Sequence, residues 1–227
     1  MMKLTRAMKR ISVLFISLLL LSGSLYPQEA DTTRSYRDLS FGVELSGPVI
    51  YSLDSNNMNI ELRLSHRINQ KYYAVAEPGI SRFSYSQYNY DYRSSGIFVR
   101  MGIDINLMKP KVKPGNHFAG LGLRYGISVF NQETPLATVS NYWGDYSFTR
   151  ERKLVHAHFL EVSGGVRAEL FRNVIIGWTV RGRILVYQSA GRSNKPINIP
   201  GMGTTGSGLQ PGFSYHLIYV IPLKEKK

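Results

Sequence analysis

The sequence predicts an all-β fold, an eight-stranded antiparallel up-and-down transmembrane β-barrel with an N-terminal signal peptide. Three observations predict it. Apolar residues recur with a period of two, the spacing of strands that have one apolar face. A short apolar run follows directly on the N-terminal basic residues. The alternating segments are joined by short and long connections in turn, which is the plan of a membrane barrel.

A signal peptide is predicted for residues 1–24. Four basic residues precede an apolar run over residues 11–21, and small residues follow at 22–24. This order of charged, apolar and small-residue regions is typical of secretory signals. A transmembrane anchor would need roughly 17–25 apolar residues, which is longer than this run. We therefore expect a periplasmic lead-in over residues 25–39, a barrel over 40–223 and a basic tail over 224–227.

Composition restricts the partners and the chemistry. The chain has 227 residues and no Cys, so disulfides, thiolate metal sites and Cys nucleophiles are excluded. The signal peptide carries four of the 28 basic residues and no acid, which leaves 24 basic residues against 15 acidic ones. No aromatic-basic nucleic-acid motif accompanies this charge, and a secreted protein meets little nucleic acid. The expected anionic partners are outer-membrane lipid and lipopolysaccharide.

The first four strands are predicted at residues 40–49, 58–68, 72–83 and 95–108. The fourth alternates most strictly, because apolar residues at every odd position from Ile97 to Leu107 are separated by residues that include Arg100 and Asp104. The first two follow the same period, whereas Pro78 interrupts the third. Strands of roughly 9–11 residues are long enough to cross a bilayer when tilted.

The other four strands are predicted at residues 117–130, 158–170, 174–187 and 213–223. The fifth sets apolar residues such as Leu121 and Leu123 against Gly122 and Arg124. The remaining three likewise have one aliphatic and aromatic face. Each of the eight segments therefore offers one continuous apolar surface.

The connections predict the orientation. Those after strands two, four and six are short (69–70, 109–116 and 172–173), and the others are longer, with extremes at 131–157 and 188–212. Short periplasmic turns and long outer loops are the rule for outer-membrane barrels. We therefore expect a protein of the cell outer membrane with both termini in the periplasm.

One face of the strands collects charge, and we expect it to close the lumen as a structural network. Its predicted members are Glu44, Glu61, Arg63, Glu77, Arg100, Asp104, Arg124, Glu161, Arg167, Glu169, Arg181 and Arg183. Glycines lie mainly on this face, where long side chains would crowd a narrow interior, and the six acids balance the six arginines. A soluble barrel with its charges outside and a narrow solute pore are the alternatives.

The outer loops are rich in aromatic residues and offer a contact surface for an extracellular ligand or protein. The predicted surface consists of Tyr88, Tyr90, Tyr92, Tyr142, Trp143 and Tyr146. Tyr and Trp supply rigid amphipathic contact area. Alternatively, these residues form the aromatic girdle of the barrel or pack over its mouth.

No catalytic, cofactor-binding or metal-ligating residue is predicted. The stretch GMGTTG (201–206) fits a phosphate-binding pattern literally, but it lacks the flanking strand and helix and is predicted to be a flexible loop. His156 and His158, with Ser147 or Ser189 in the outer loops, allow an alternative: a lipid-modifying enzyme, namely a lipid A or phospholipid acyl hydrolase or transferase. A nucleophilic serine needs its base within hydrogen-bonding reach.

Several short motifs resemble a known family. They are GLRYG (122–126), YWG (142–144), LEVSGGVRAELF (160–171), NIPG (198–201) and the final segment 212–223. In order and spacing they are similar to a Bacteroidota outer-membrane β-barrel family catalogued as domain of unknown function 6048. The resemblance implies the fold and the outer membrane, and it transfers no activity. We therefore expect a monomeric barrel with a structural or surface-interaction role.

Overall fold

A computed structural model describes the protein over residues 38–69, 71–87, 89–108, 117–142, 144–191, 194–206 and 208–223. The predicted signal peptide, most of the predicted lead-in and the basic tail lie outside the described residues. In chain order the secondary structure is β1 (Asp38–Glu44), α1 (Ser46–Leu53), β2 (Asn57–Arg67), β3 (Tyr72–Gln87), β4 (Tyr90–Asn106), β5 (Phe118–Asn141), β6 (Gly144–Phe171), β7 (Val174–Gln188), β8 (Asn198–Ile199), β9 (Gly203–Thr204) and β10 (Gln210–Pro222). Within this part of the chain no helix has the length and apolar character needed to cross a membrane.

Eight strands form one antiparallel sheet that closes into a ring. Each of β1 to β6 pairs with the next strand along the chain, and β7 pairs with β10. The ring is closed by β1 and β10, which pair from Asp38 opposite Pro222 to Glu44 opposite His216. The prediction of an all-β protein with eight antiparallel strands is confirmed. Closure matters because it leaves the ring itself without unpaired strand edges.

The two ends of the ring differ. At one end, here called the turn end, lie the start of β1, the end of β10 and the connections 68–71, 107–117 and 172–173. The opposite end, the hairpin end, carries the connections after β1, β3, β5 and β7. The predicted alternation of the connections therefore assigns them to the two ends correctly.

The strand alternation separates an apolar outside from a polar inside. On β4 the side chains of Ile97, Met101 and Ile103 are exposed on the outer wall, whereas Arg100 and Asp104 are buried. The same division holds on β2, where Leu62 is exposed. Successive side chains of a strand point to opposite faces. The charged residues that alternate with the apolar ones therefore lie on the inner face.

Strands β5 and β6 continue far beyond their predicted ends. The prediction of a long loop at 131–157 is wrong, because the two strands pair from Phe118 opposite Arg167 to Asn141 opposite Gly144. We call residues 134–150, from Thr134 opposite Arg150 outward, the hairpin extension. The tyrosine-rich stretch 84–95 is likewise a tight hairpin of β3 and β4 and not an irregular loop.

Helix α1 replaces the end of the predicted first strand. Its backbone amides of Ser46 and Gly47 donate to the carboxylate of Glu44 at 2.8 and 2.7 Å. These amides have no partner inside a helix, so a carboxylate at this position stabilises the first turn. Pro48 lies in the first turn, where its missing N–H costs nothing. These local interactions override the strand pattern that runs from residue 40 to 49.

Part of the connection between β7 and β10 folds into the ring. Its short strands β8 and β9 pair with each other, and Ile199 and Met202 are buried against Phe130, Val155 and Phe159. The prediction of a loop without regular structure at 201–206 is therefore wrong for Met202, which is buried, and for Gly203 and Thr204, which form β9. We call residues 198–204 the inner loop; it covers the mouth at the hairpin end.

Candidate functional site

A cluster of buried charges fills the middle of the ring. It is brought together by β2, β3, β4, β5, β6 and β7, whose inward positions meet because each strand turns the same face to the axis. We define the charge cluster as Glu61, Arg63, Glu77, Arg100, Asp104, Arg124, Glu161, Arg167, Arg181 and Arg183. Eight of these side chains are almost inaccessible to solvent, while Arg167 and Arg183 at its two ends are 10 and 12% exposed.

Each carboxylate of the cluster contacts several guanidinium groups. Glu161 is approached by Arg100 at 2.9 Å, by Arg124 at 3.2 Å and, through its Nε, by Arg183 at 2.9 Å. Asp104 in turn accepts from Arg124 at 2.9 Å. Because the contacts are shared across the ring, removing one member leaves several others without a full set of partners.

The centre of the cluster ties together distant parts of the chain. Glu77 is paired with Arg63, and Arg181 approaches it at 3.4 Å. Glu61 is paired with Arg100 and accepts from Arg181 at 3.1 Å. These pairs cross the lumen and leave it packed with side chains, as expected for a ring of eight strands.

Two residues predicted for the network lie elsewhere. Glu44 accepts from the first turn of α1, and Glu169 accepts from the backbone amide of Asn173 at 2.9 Å in the turn between β6 and β7. The predicted balance of six acids and six arginines therefore does not hold within the charge cluster, where the described side chains are six arginines and four carboxylates. Periodicity shows which face a residue occupies but not its height along the barrel axis.

Neutral acceptors satisfy part of the excess of N–H donors. Arg100 donates to the carbonyl of Gly201 at 3.3 Å, and Arg183 donates to the carbonyl of Met202 at 2.9 Å. Arg124 also donates to Ser163 Oγ. The inner loop is therefore held directly on the cluster, a role that no local sequence signal predicted.

Glu61, Glu77 and His216 form the one arrangement among the described residues that resembles a metal site. One ligand atom from each lies within 4.8 Å of the others. However, Arg181 donates to His216 Nε2 at 3.2 Å and also contacts both carboxylates. Guanidinium groups already supply the positive charge that these acceptors need, so the surroundings repel a cation.

A cavity of about 200 Å³ remains inside the hairpin end, between α1 and the inner loop. Glu61, Arg100 and Arg183 of the charge cluster line it, as do Glu44 and Asn198. Opposite charges therefore face each other across this space, and it has room for water.

The histidines do not form a serine dyad among the described residues. His158 Nδ1 lies 2.9 Å from the hydroxyl of Tyr125, and its ring stands between those of Tyr125 and Tyr187. Ser189 Oγ accepts from the backbone amide of His156, not from its imidazole. Ser147 shares a hydrogen bond with Thr138 instead. The arrangement on the outer wall is an aromatic patch, and no described serine hydroxyl forms a hydrogen bond with the imidazole of His156 or His158.

The predicted contact surface is only partly exposed. Tyr142 and Tyr146 in the hairpin extension are 93 and 67% exposed. Tyr92, in contrast, is 2% exposed, and its hydroxyl lies 3.2 Å from Gln132 Oε1, so its prediction as a surface residue is wrong. Tyr90 is half-buried beside Tyr85. Tyr88 and Trp143 lie outside the described residues.

An ion pair outside the charge cluster, at the turn end, was not predicted from the sequence. Arg67 donates to Asp38 at 3.2 Å and to the hydroxyl of Tyr73 at the turn end. Arg67 lies four residues after Arg63 on β2, so the two side chains point to the same face of the strand. The alternation of β2 therefore indicated that Arg67 faces inward. Asp38 fell within the predicted lead-in, because the first strand begins two residues earlier than predicted.

Comparisons with known proteins place the chain in a family. Comparison with curated proteins and with solved structures gives no significant match. The family model described as Domain of unknown function (DUF6048) matches residues 5–226, which is nearly the whole chain. The protein therefore belongs to the DUF6048 family.

Proposed function

We propose that the protein is a small outer-membrane β-barrel that holds the hairpin extension above the membrane as a contact surface, and whose lumen is closed by the charge cluster. The observation that supports this most directly is the polarity of the wall. Outward side chains such as Leu123, Val162 and Ile184 are exposed and apolar on successive strands. An apolar surface of this extent is unfavourable in water and typical of a wall that faces lipid.

The hairpin extension supports the interaction role. Four large apolar or aromatic side chains are exposed on it: Leu136, Val139, Tyr142 and Tyr146. Large apolar and aromatic side chains that are exposed together favour contact with another molecule, because their burial stabilises a complex and they lose little conformational freedom. The partner that this chemistry fits is an extracellular protein or ligand with an apolar surface.

The membrane location can be tested with single cysteines, because the chain has none of its own. In intact cells, Tyr142→Cys should react with a membrane-impermeant maleimide, while Arg172→Cys in the turn between β6 and β7 should react only after the cells are opened. Both positions are exposed, so a difference reflects the membrane. Equal labelling of the two sites in intact cells would contradict the proposal.

The closed lumen can be tested in planar bilayers. The purified protein should insert without producing steady single-channel currents, since the ion pairs occupy the bore. Reproducible conductance steps from the wild-type protein would show that the cluster does not close the ring.

The contact role requires a separate experiment. A photo-crosslinking amino acid at Tyr142 should form a covalent adduct on cells in their native medium, and the same group at Tyr219 on the outer wall should form no protein adduct. The same group at Leu136, at the base of the hairpin extension, should also form an adduct. Replacing residues 137–148 by an Asn-Gly turn should abolish this adduct, while the shortened barrel still folds. Absence of any adduct from the hairpin extension would contradict the contact role.

A further inference from the structure

The outer wall changes character abruptly on one side of the ring. Outward residues of adjacent strands form rows because the strands are paired in register. One row is apolar over Ile80, Ile97 and Val129, which are cross-strand neighbours on β3, β4 and β5. Two residues further toward the hairpin end, the neighbours are Arg82, Ser95 and Asn131. The wall therefore turns from aliphatic to cationic and polar over roughly 7 Å.

The next row adds two more arginines. Arg93 on β4 lies between Ser84 on β3 and Glu133 on β5. Arg152 on β6 lies beside Glu133, where the register shifts between the pairs Gln132–Lys153 and Thr134–Arg150. Arg82, Arg93 and Arg152 line one groove of about 250 Å³ together with the polar side chains of these rows. We call this the arginine groove.

The charges of the arginine groove are largely uncompensated. Arg93 is 63% exposed and reaches Glu133 at 3.8 Å, which is a weak surface pair. Among the described residues, Arg82 and Arg152 form no ion pair or side-chain hydrogen bond. Glu133 is the only carboxylate that lines the groove, so the three arginines leave an excess of positive charge.

The groove is a local feature and not a ring of charge around the barrel. On the far side of Arg82 its neighbour on β2 is Met58. On β6 the outward residue below Arg152 is Leu154, which is exposed and apolar. The cations are thus confined to the side formed by β3 to β6, directly above the aliphatic part of the wall.

We propose that the arginine groove binds the phosphate of an outer-leaflet lipid headgroup while the acyl chains lie on the aliphatic rows below it. This rests on the proposed function, because it takes the outer wall to face lipid. A guanidinium group binds phosphate through two parallel N–H donors, and serine and asparagine side chains add further donors. The order of aliphatic rows, then arginines, matches the order of acyl chain, then phosphate, in the lipid.

The proposal can be tested by native mass spectrometry of the full chain in a neutral detergent. The probe is dioleoylphosphatidic acid, and the matched lipid without phosphate is dioleoylglycerol. The wild-type protein should retain the first and not the second. Each arginine near an anionic headgroup contributes about fivefold to binding, so R82Q/R93Q/R152Q should weaken phosphatidic acid binding by about a hundredfold. Arg172→Gln, an exposed arginine at the turn end, is the matched control and should bind as the wild type does.

Glu133→Gln gives an independent test in the opposite direction. Removing the one carboxylate of the groove should strengthen binding of phosphatidic acid, and this substitution does not depend on the triple variant being folded. Unchanged binding in the triple variant, or weaker binding with Glu133→Gln, would overturn the lipid site. Displacement of the lipid by inorganic phosphate at equal concentration would overturn the assignment to a lipid, because it would indicate a site for free anions.

These outcomes are separate from those of the proposed function. If Tyr142→Cys and Arg172→Cys label as expected but the triple variant binds phosphatidic acid normally, only the lipid site fails. If the two cysteines label equally in intact cells, the membrane location fails whatever the lipid measurements show.

Discussion

Strands β5 and β6 run through two different environments, the ring and the hairpin extension. Different interactions determine the register of their pairing in each part. Inside the ring each strand has a neighbour on both sides, and its inward residues meet the charge cluster. In the hairpin extension, β4 accompanies β5 only as far as Ala137, and the described pairs of β7 with β6 begin at Ala157. The register shifts twice at the start of the extension, between Gln132 and Ala137.

This difference between the ring and the hairpin extension shows what determines the register of strand pairing. A slip by one residue inside the ring would exchange charged and apolar faces along a whole strand, which the lumen and the outer wall both oppose. In the hairpin extension Thr134 and Ala137 are still buried, but the described side chains beyond Ala137 are exposed or half-buried, so a slip of the register there would exchange no buried face. Substitutions should accordingly be severe where a residue packs inside the ring or faces the outer wall, and mild at exposed positions of the hairpin extension and the connections. Four predictions test this.

The largest effect is expected for Arg124→Met. Arg124 contacts Asp104 and Glu161 and is completely buried, so the change leaves buried carboxylates with fewer partners. Deleting one member of a fully buried pair costs about 3–5 kcal/mol. Denaturant unfolding in detergent micelles should show this loss. Arg172→Met, at an exposed turn position, should leave the midpoint unchanged; a similar loss there would mean that the effect is not due to burial.

The next effect concerns membrane insertion. Ile103→Arg and Val139→Arg change residues of similar exposure, 48 and 53%, one on the outer wall of the ring and the other in the hairpin extension. An arginine facing the middle of the bilayer costs about 2–4 kcal/mol, whereas one above the membrane costs little. Folding yield into lipid vesicles should fall for Ile103→Arg alone. Equal yields of the two variants would show that the faces of the wall are assigned wrongly.

A smaller effect is expected where the inner loop meets the ring. Gly201 has a φ of +77°, and an added Cβ would lie 2.5 Å from the ring of Phe98. Gly191 has a nearly identical φ of +76° with open space around it. Both alanine variants carry a backbone strain of about 1 kcal/mol, and Gly201→Ala adds about 1–3 kcal/mol of overpacking. Unfolding midpoints of the two variants that coincide would show that the inner loop does not press on Phe98.

The smallest effect is expected at the tip of the hairpin extension. Tyr142→Ser removes a ring that is almost fully exposed, and surface changes of this kind usually alter stability by less than about 0.5 kcal/mol. The unfolding midpoint should stay within that range while contact with a partner is lost. A loss of stability comparable to that of Gly201→Ala would indicate that the tip packs against the rest of the protein.

Strand number, strand order and the division into faces could be predicted, because a period of two is visible locally and closure follows from the connections. The exceptions share a physical reason. Helix α1 depends on Glu44 accepting amides at its start, and the inner loop depends on Arg100 and Arg183, which lie far away in sequence. The hairpin extension depends on pairing across a connection whose apolar residues do not keep a period of two. The position of a residue along the axis of the ring, which separates Glu169 from the charge cluster, likewise cannot be predicted from a period of two.

The charge cluster also has a consequence for how the chain reaches its final state. Glu61 and Arg181 are separated by 120 residues along the chain, and the ring closes by joining Asp38 to Pro222. Contacts between such distant segments are slow to form, since loop-closure entropy is lost before they contribute. A chain that has assembled only β2 to β5 would have Arg100 and Arg124 inside without Glu161. We therefore expect the cluster to form in one late, cooperative step, so that nearly complete barrels are unstable and the closed ring unfolds slowly.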